Sequence, residues 1–478
     1  MTEKNIRWYM AIFAIVYILP IILANKLYID DTGRSTFGGT YWEGVGRPLA
    51  SWIYQFINFN AIISDLSPMS VIAAAAIILG AGYHFSTSSE FSFSKQQKII
   101  VACSFLASPF LLEVLSYKYD APLMALSILC ASYSSTLKFD RKRDVFFVFA
   151  LILSLNCIYQ AAINVYIGLV GIKIVEKALT DRSFYLRYMI GQAASSVSAL
   201  IVYATVIAPL YTSYLHAQRQ GETLSISDLL SGKIIENFVR MNLYAYECLS
   251  SDMIAIIVAL TVATLITVFF RLRGTRLREY IFTLIGFVLI ICSISGLLIV
   301  FRTPSFHPRV FMGTLPVAVS LVYFISNLLD KNRVFPLLIV TPFVFTSYAY
   351  GNALTQVKEF DALLASRIAS ALDMKNFNED DLIVFSGREP ILPSVETAGR
   401  VRPIIPRMAV GEFNSPWFAN IGFYRMRITH HNRQVVAMND EYKVISSTTT
   451  PITVNSLFDL SVSEGQKSRV FFLTLKGR

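Results

Sequence analysis

Charge is what this chain has least of. Only 15% of its 478 residues are Asp, Glu, Lys or Arg, against 54% hydrophobic residues and a mean hydropathy of +0.53. Globular proteins carry roughly 25% charged residues, and a soluble core cannot absorb so much apolar sequence while leaving polar cover for the surface. The excess calls for a bilayer. Cysteine is also sparse. Cys103, Cys130, Cys157 and Cys292 lie in apolar runs and Cys248 alone is expected at the surface, so neither a disulfide framework nor a metal knuckle is indicated. There is no P-loop, Rossmann glycine fingerprint, HExxH or GxSxG. A nucleotide-bound substrate thus has no obvious site, and a membrane-embedded one fits better.

What charge there is has a pattern. A net +10 would suit nucleic acid, but the basic residues sit in short loops between apolar runs, as in KFDRKRD (138–144) and RLRGTRLRE (271–279). That placement is expected of cytoplasmic loops. Eleven apolar runs approach the ~20 residues that span a bilayer: 8–27, 66–85, 99–117, 122–137, 145–159, 162–178, 188–209, 251–270, 280–300, 311–330 and 334–350. The first follows MTEKNIR without a convincing cleavage site and reads as a retained anchor. The stretch 145–178 reads either as two spans or as one kinked span with an interfacial piece. With the N-terminus inside, inner segments hold 18 Lys and Arg and the outer ones before the tail hold 9. The expected fold is a polytopic helical membrane body over 1–350, with residues 28–49 and the tail outside.

From 351 the composition shifts. Leu354, Val357, Leu364, Ile368 and Leu372 recur at helical spacing within 353–374. Then 381–387, 433–439, 441–447 and 469–475 read as strands. Residues 351–478 are therefore expected to form a small C-terminal α/β domain.

Charged groups are costly in hydrocarbon, so their positions are informative. Here they avoid span centres. Asp30, Asp31, Glu43, Glu113 and Asp120 fall at outer ends or outer loops, with Arg34, Arg47, Lys118, Arg302, His307 and Arg309 at the same level. Within YIDDTGRSTFGGTYWEGVGRPL (28–49), Asp30 or Asp31 can supply a general base, and Tyr41 and Trp42 offer faces for a sugar ring. The same residues also suit a helix cap, a local ion pair and an interfacial aromatic belt. Glu113 lies in an apolar run, where a carboxylate needs a partner. Asp120, just before Pro122, suits a helix start, and Lys118 can neutralise either acid. Arg302 and Arg309 have the planar fork that matches phosphate, although a lone juxtamembrane arginine can simply meet lipid headgroups. His307 can be an ordinary hydrogen-bonding group. Tyr159, Gln160 and Asn164 form a polar knot that can meet sugar hydroxyls or satisfy a tight turn.

YIDDTGRS with GRPL (46–49), followed by SYKYDAP (116–122), resembles the bacterial O-antigen glucosyltransferases, the phage-associated Gtr serotype-converting enzymes. The resemblance covers most of the chain. It implies a GT-C superfamily architecture in the bacterial inner membrane with a periplasmic active site. It also implies a glucose donor carried on undecaprenyl phosphate, made by a separate glucosyltransferase and delivered by a partner flippase, and a lipid-linked O-antigen acceptor. The implied chemistry is inverting transfer in one displacement. Asp31 or Asp30 would be the base, with Glu43 in reserve. Arg34, Arg47, Arg302 and Arg309 would balance the phosphate, and Trp42 and Tyr159 would meet sugar. Glu113, Lys118, Asp120, Gln160 and His307 complete the expected substrate-facing set. No cofactor is expected, although paired aspartates leave a divalent metal open. A lipid-linked-sugar flippase, another GT-C transferase and an O-antigen polymerase are the alternatives. A flippase would line a path through the spans with polar residues, of which there are few.

Overall fold

The computed structural model describes residues 3–180, 185–214, 222–328, 334–446, 449–464 and 468–477. Among the described residues, the apolar runs named above are mostly helical, with 99–117 and 280–300 interrupted and 329–330 outside the described residues. Helices α1 (Glu3–Ala24), α2 (Asp30–Phe37), α3 (Pro48–Asn58), α4 (Met69–Thr87) and α5 (Lys95–Leu106) come first. They are followed by α6 (Pro109–Ser116), α7 (Ala121–Thr136), α8 (Lys142–Ile158), α9 (Ala162–Leu179) and α10 (Tyr185–Val202). Five helices among the described residues are long and apolar enough to cross a membrane: Lys4–Ala24, Met69–Thr87, Leu186–Tyr211, Ser251–Leu272 and Leu337–Asp373. A sixth span results if α5 and α6 count as one. The remaining runs form helices that are shorter or carry more charge, as α9 does with Lys173, Glu176 and Lys177.

Three local departures shape the site. The run 99–117, expected as one span, is bent by 62° between α5 and α6. Pro109 is the cause: it bars the helical conformation at Ser108 and suits the first turn of a new helix. All eight residues of α6 are buried. The stretch 145–178 is two helices, parted at Tyr159–Ala161. The helix that begins as α10 continues through a π turn at Tyr203–Ile207, a distortion often found at functional positions.

The last apolar run and the amphipathic segment after it form one continuous helix, Val334–Asp373. Beyond it stand five strands: β1 (Leu382–Arg388), β2 (Val435–Ala437), β3 (Thr450–Val454), β4 (Phe458–Ser463) and β5 (Val470–Lys476). Their order is β2-β1-β5-β4-β3, with β1 parallel to both neighbours and β3, β4 and β5 antiparallel. Phe385, Phe471 and Leu473 bury against Leu364, Ile368 and Leu372 of the long helix. Residues 441–447 were expected as a strand, but Asp440–Ser446 is helical. Asn439 Oδ1 accepts the Tyr442 N–H at 2.8 Å, and two acids occupy the first turn, which favours helix over extended chain. Residue 447 lies outside the described residues. Not all of the tail belongs to the sheet's core: Val395, Ile404, Ile405 and Met408 join the larger helical one.

Candidate active site

The polar residues of the opening stretch meet those of α6, of the turn before α7, of the α8–α9 link and of residues 307–309. Ile29, at φ 46°, swings the chain into α2, and Asp30 and Asp31 occupy its first turn. Negative charge is favoured there by the helix dipole. Asp31 is fully buried and accepts the backbone N–H groups of Lys118 at 2.8 Å, Tyr119 at 3.4 Å and Tyr28 at 3.4 Å. It ties α2 to the turn before α7. Burial lifts its pKa to about 8, against the opposing pull of Arg34 and the Lys118 and Tyr119 amides.

Asp120 is the centre of a second tie. It accepts the Trp42 indole N–H at 2.7 Å and pairs with Arg34 at 2.8 Å. The Arg34 guanidinium sits 4.6 Å from the Trp42 ring centre. All three side chains are buried, so they hold one another in place and present no open face. Trp42, expected to meet sugar, instead packs against Tyr54.

Glu113 is carried in by the broken helix. Its carboxylate accepts the Arg309 backbone N–H at 2.6 Å and lies 3.3 Å from the Tyr28 hydroxyl, which donates to the Met408 carbonyl at 2.8 Å. Glu113 is therefore a bracket for the 307–309 turn. The Arg309 side chain leaves that bracket, crosses the Tyr117 ring at 4.4 Å and reaches Asp30 at 3.9 Å. Asp30 is 40% exposed, unlike Asp31, Glu113 and Asp120, which are buried.

Arg47 approaches from the start of α3. Its Nε donates to Gln160 Oε1 at 2.9 Å, and its guanidinium lies 4.6 Å from the Tyr159 ring centre. Gln160 in turn donates to the Val45 carbonyl at 3.1 Å and to the Tyr203 hydroxyl of the π turn at 2.7 Å. The nearest acid to Arg47 is Asp120, at 4.0 Å. Arg47 and Arg309 are 24% and 21% exposed and lie close enough to repel each other. Two cations held on tyrosine faces at the edge of ion-pair distance can receive an anion.

Other expected members stand elsewhere. Arg302 is 54% exposed and pairs with Glu222 at 3.4 Å and Asp228 at 4.0 Å, in a loop of its own. Lys118 contributes its backbone to Asp31, but its ammonium turns to Asn25 and Asp65. His307 stays at the rim, exposed at the start of the Pro308–Phe311 turn but near enough to Glu113 to interact with its charge. Glu43 accepts from the Thr40 hydroxyl at 3.2 Å and lines a separate groove. Asn164 caps the Leu297 N–H at 3.0 Å. Cys248, expected at the surface, is buried with Arg407 at 3.4 Å from its sulfur. The amphipathic helix Lys233–Glu247 packs against the tail there, which covers it. Tyr28, Tyr117, Tyr203 and the Met408 carbonyl were not foreseen as site members. Tyr28 and Tyr117 stood inside the quoted motifs, whereas nothing local marks Tyr203 or Met408. Among the described residues, no three His, Cys, Asp or Glu gather as a metal would require.

A family model described as glucosyl transferase GtrII matches residues 5–320, well over half of the chain. The chain belongs to this family. It is a glycosyltransferase, and glucosyl transfer is the family's chemistry. Every member of the GtrII chain's cluster from Asp30 to Arg309 falls inside the matched stretch. The chain is also similar to an uncharacterized 55.3 kDa protein in the gtrB 5' region of Salmonella phage P22. The two are 28% identical over 439 residues, covering 87% of this chain and 89% of that one. No solved structure matches.

Proposed function

We propose that this GtrII transferase moves glucose from undecaprenyl-phosphate glucose to the repeat sugars of a lipid-linked O-antigen, with inversion, at the periplasmic face of the inner membrane. Asp30 is the base. Its carboxylate takes the proton of the acceptor hydroxyl as that oxygen bonds to the anomeric carbon of glucose. The bond from that carbon to the phosphate oxygen breaks, and the lipid phosphate leaves with the electron pair. Arg47 and Arg309 balance its charge, a stabilisation that counts most as the leaving group develops. Asp31, Asp120, Glu113 and Arg34 position the loops that carry these three side chains.

The observation that carries the assignment is the difference between neighbours: among the cluster carboxylates, Asp30 reaches solvent and lies beside an under-neutralised arginine. A base must come within hydrogen-bond reach of its substrate, which the backbone-bound Asp31 does not offer. The test uses the full-length protein in lipid nanodiscs with synthetic undecaprenyl-phosphate glucose and an O-antigen acceptor. Transfer with an inverted anomeric centre, lost in Asp30→Asn while the protein stays folded, supports the reading. Full activity in Asp30→Asn would sink the assignment of the base.

A further inference from the structure

Next to the cluster lies a wide-mouthed groove of about 540 Å³ whose walls include Gly39, Thr40, Tyr41, Glu43, Ala61 and Ser213. Small-molecule sites run to roughly 300–1,000 Å³. Tyr41 is 60% exposed and holds φ 57°, a conformation an aromatic residue adopts at a cost. Its ring lies over Gly39, where a Cβ would come within 2.3 Å of it. Only a glycine at 39 lets the ring lie there. Among the described residues, the Glu43 side chain accepts only from the Thr40 hydroxyl, at 3.2 and 3.4 Å, while a carboxylate has about four acceptor positions.

These walls match one class of ligand. A pyranose has an apolar C–H face for an aromatic ring and neighbouring hydroxyls for a carboxylate. A phosphate fits less well: Glu43 repels it, and among the described residues no Lys or Arg lines the groove. The groove is also joined to the arginine cluster. The Thr40 carbonyl accepts from Arg34 Nε at 3.4 Å, and the turn Glu43–Val45 leads directly to Gly46 and Arg47. Ser213 N–H closes the far wall on the Gly44 carbonyl at 2.9 Å.

We propose that this groove holds the acceptor saccharide, with Tyr41 as the platform under a hexopyranose ring and Glu43 as the acceptor for its hydroxyls. It rests on the transfer reading above and divides that site: phosphate at Arg47 and Arg309, acceptor sugar at Tyr41 and Glu43. Binding of a soluble O-antigen oligosaccharide to the full-length protein in nanodiscs, with no donor added, tests it by saturation-transfer NMR and titration. Tyr41→Ala and Glu43→Gln should each weaken that binding about tenfold, and Tyr41→Phe should restore most of it. Undecaprenyl phosphate binding, measured on the same samples, reports that the fold is intact. Unaltered saccharide affinity in both variants overturns the assignment, as does a Glu43→Gln enzyme that loses kcat at unchanged acceptor KM. Tyr41-dependent saccharide binding without any transfer by the unmodified protein would instead defeat the reaction and leave the groove standing.

Discussion

Helix α9 has 18 residues, about 27 Å at 1.5 Å each, and charge gathers at both of its ends. At the C-terminal end, Glu176 accepts from Ser89 at 2.5 Å, the Glu90 N–H at 2.7 Å, Tyr323 at 2.6 Å and Lys173 at 2.7 Å. Lys173 also reaches the Ser88 carbonyl at 3.1 Å, and Lys177 pairs with Glu90 at 2.9 Å. Glu176 and Lys173, both buried, each have several close partners there. At the N-terminal end, Gln160 holds Arg47, which with Arg309 faces carboxylates only at 4.0 and 3.9 Å, and Asp30 stands partly open. The first arrangement is closed on itself and joins helices. The second leaves charge and hydrogen-bonding capacity for something not of the chain. Saturation of a buried polar network marks a structural role, and its incompleteness marks a functional one.

Exchanging the properties of the two ends would break this comparison. The largest expected effect is that of Asp30→Asn, a loss of glucosyl transfer of about 10²–10⁴-fold. Its thermal midpoint should stay near that of the unmodified protein, because no buried group loses a partner. Lys173→Met should do the reverse. It strands Glu176 in the interior at a cost of about 3–5 kcal/mol, read as a lowered unfolding midpoint, while transfer per folded molecule persists. A large stability loss from Asp30→Asn, or none from Lys173→Met, would erase the distinction.

Asp31 sharpens the comparison through pH. Its pKa is raised to about 8 in the folded protein, against roughly 3.9 for a free aspartate. Folding therefore takes up a proton at Asp31 between these values, so this group's contribution to native stability is greatest below the window and falls as pH rises through it. Melting temperatures measured from pH 5 to 9 should decline, and Asp31→Asn should flatten part of the decline. Burial and Asp361 raise Glu389 in the tail as well, so the informative quantity is the difference between the two proteins. An identical slope in both would show that Asp31 is not the titrating group. The smallest effect is expected from Arg302→Ala. Its exposed pairs are worth about 0–1 kcal/mol, and it stands apart from the cluster, so transfer should change by less than about twofold. A large drop in transfer would bring Arg302 into the site.

The helical runs were legible because hydrocarbon-compatible length is a local property: the described part of each run is largely helical, although only five or six helices are long and apolar enough to cross a membrane. The break at Pro109 was not foreseen, because the run 99–117 is predominantly apolar on both sides of it and a proline within such a run does not by itself say whether a helix kinks or ends. The helix at Asp440–Ser446 was hidden by the alternation of its residues, while the Asn439 cap that decides it depends on side-chain geometry. For the site, residue type and level along the spans identified the acids and arginines. The same signals included Arg302 and the Lys118 ammonium, because equal depth does not imply proximity. Trp42 and Tyr41 are neighbours with opposite fates, one sealed beneath Arg34 and the other laid open on Gly39.

By itself, the sequence determined that the chain is helical and suited to a bilayer, and that its scarce charge concentrates in a few linking segments. Composition and hydrophobic run length suffice for that, since transfer free energy adds residue by residue. The motif residues determined the family. Only the tertiary structure decided which of two adjacent aspartates is buried and which open, which arginines are consumed by Asp120 and which stay under-neutralised, and that Glu43 faces a groove of its own. Those outcomes depend on desolvation and on distances between segments up to about 280 positions apart in the chain, as Asp30 and Arg309 are, and no local pattern encodes them.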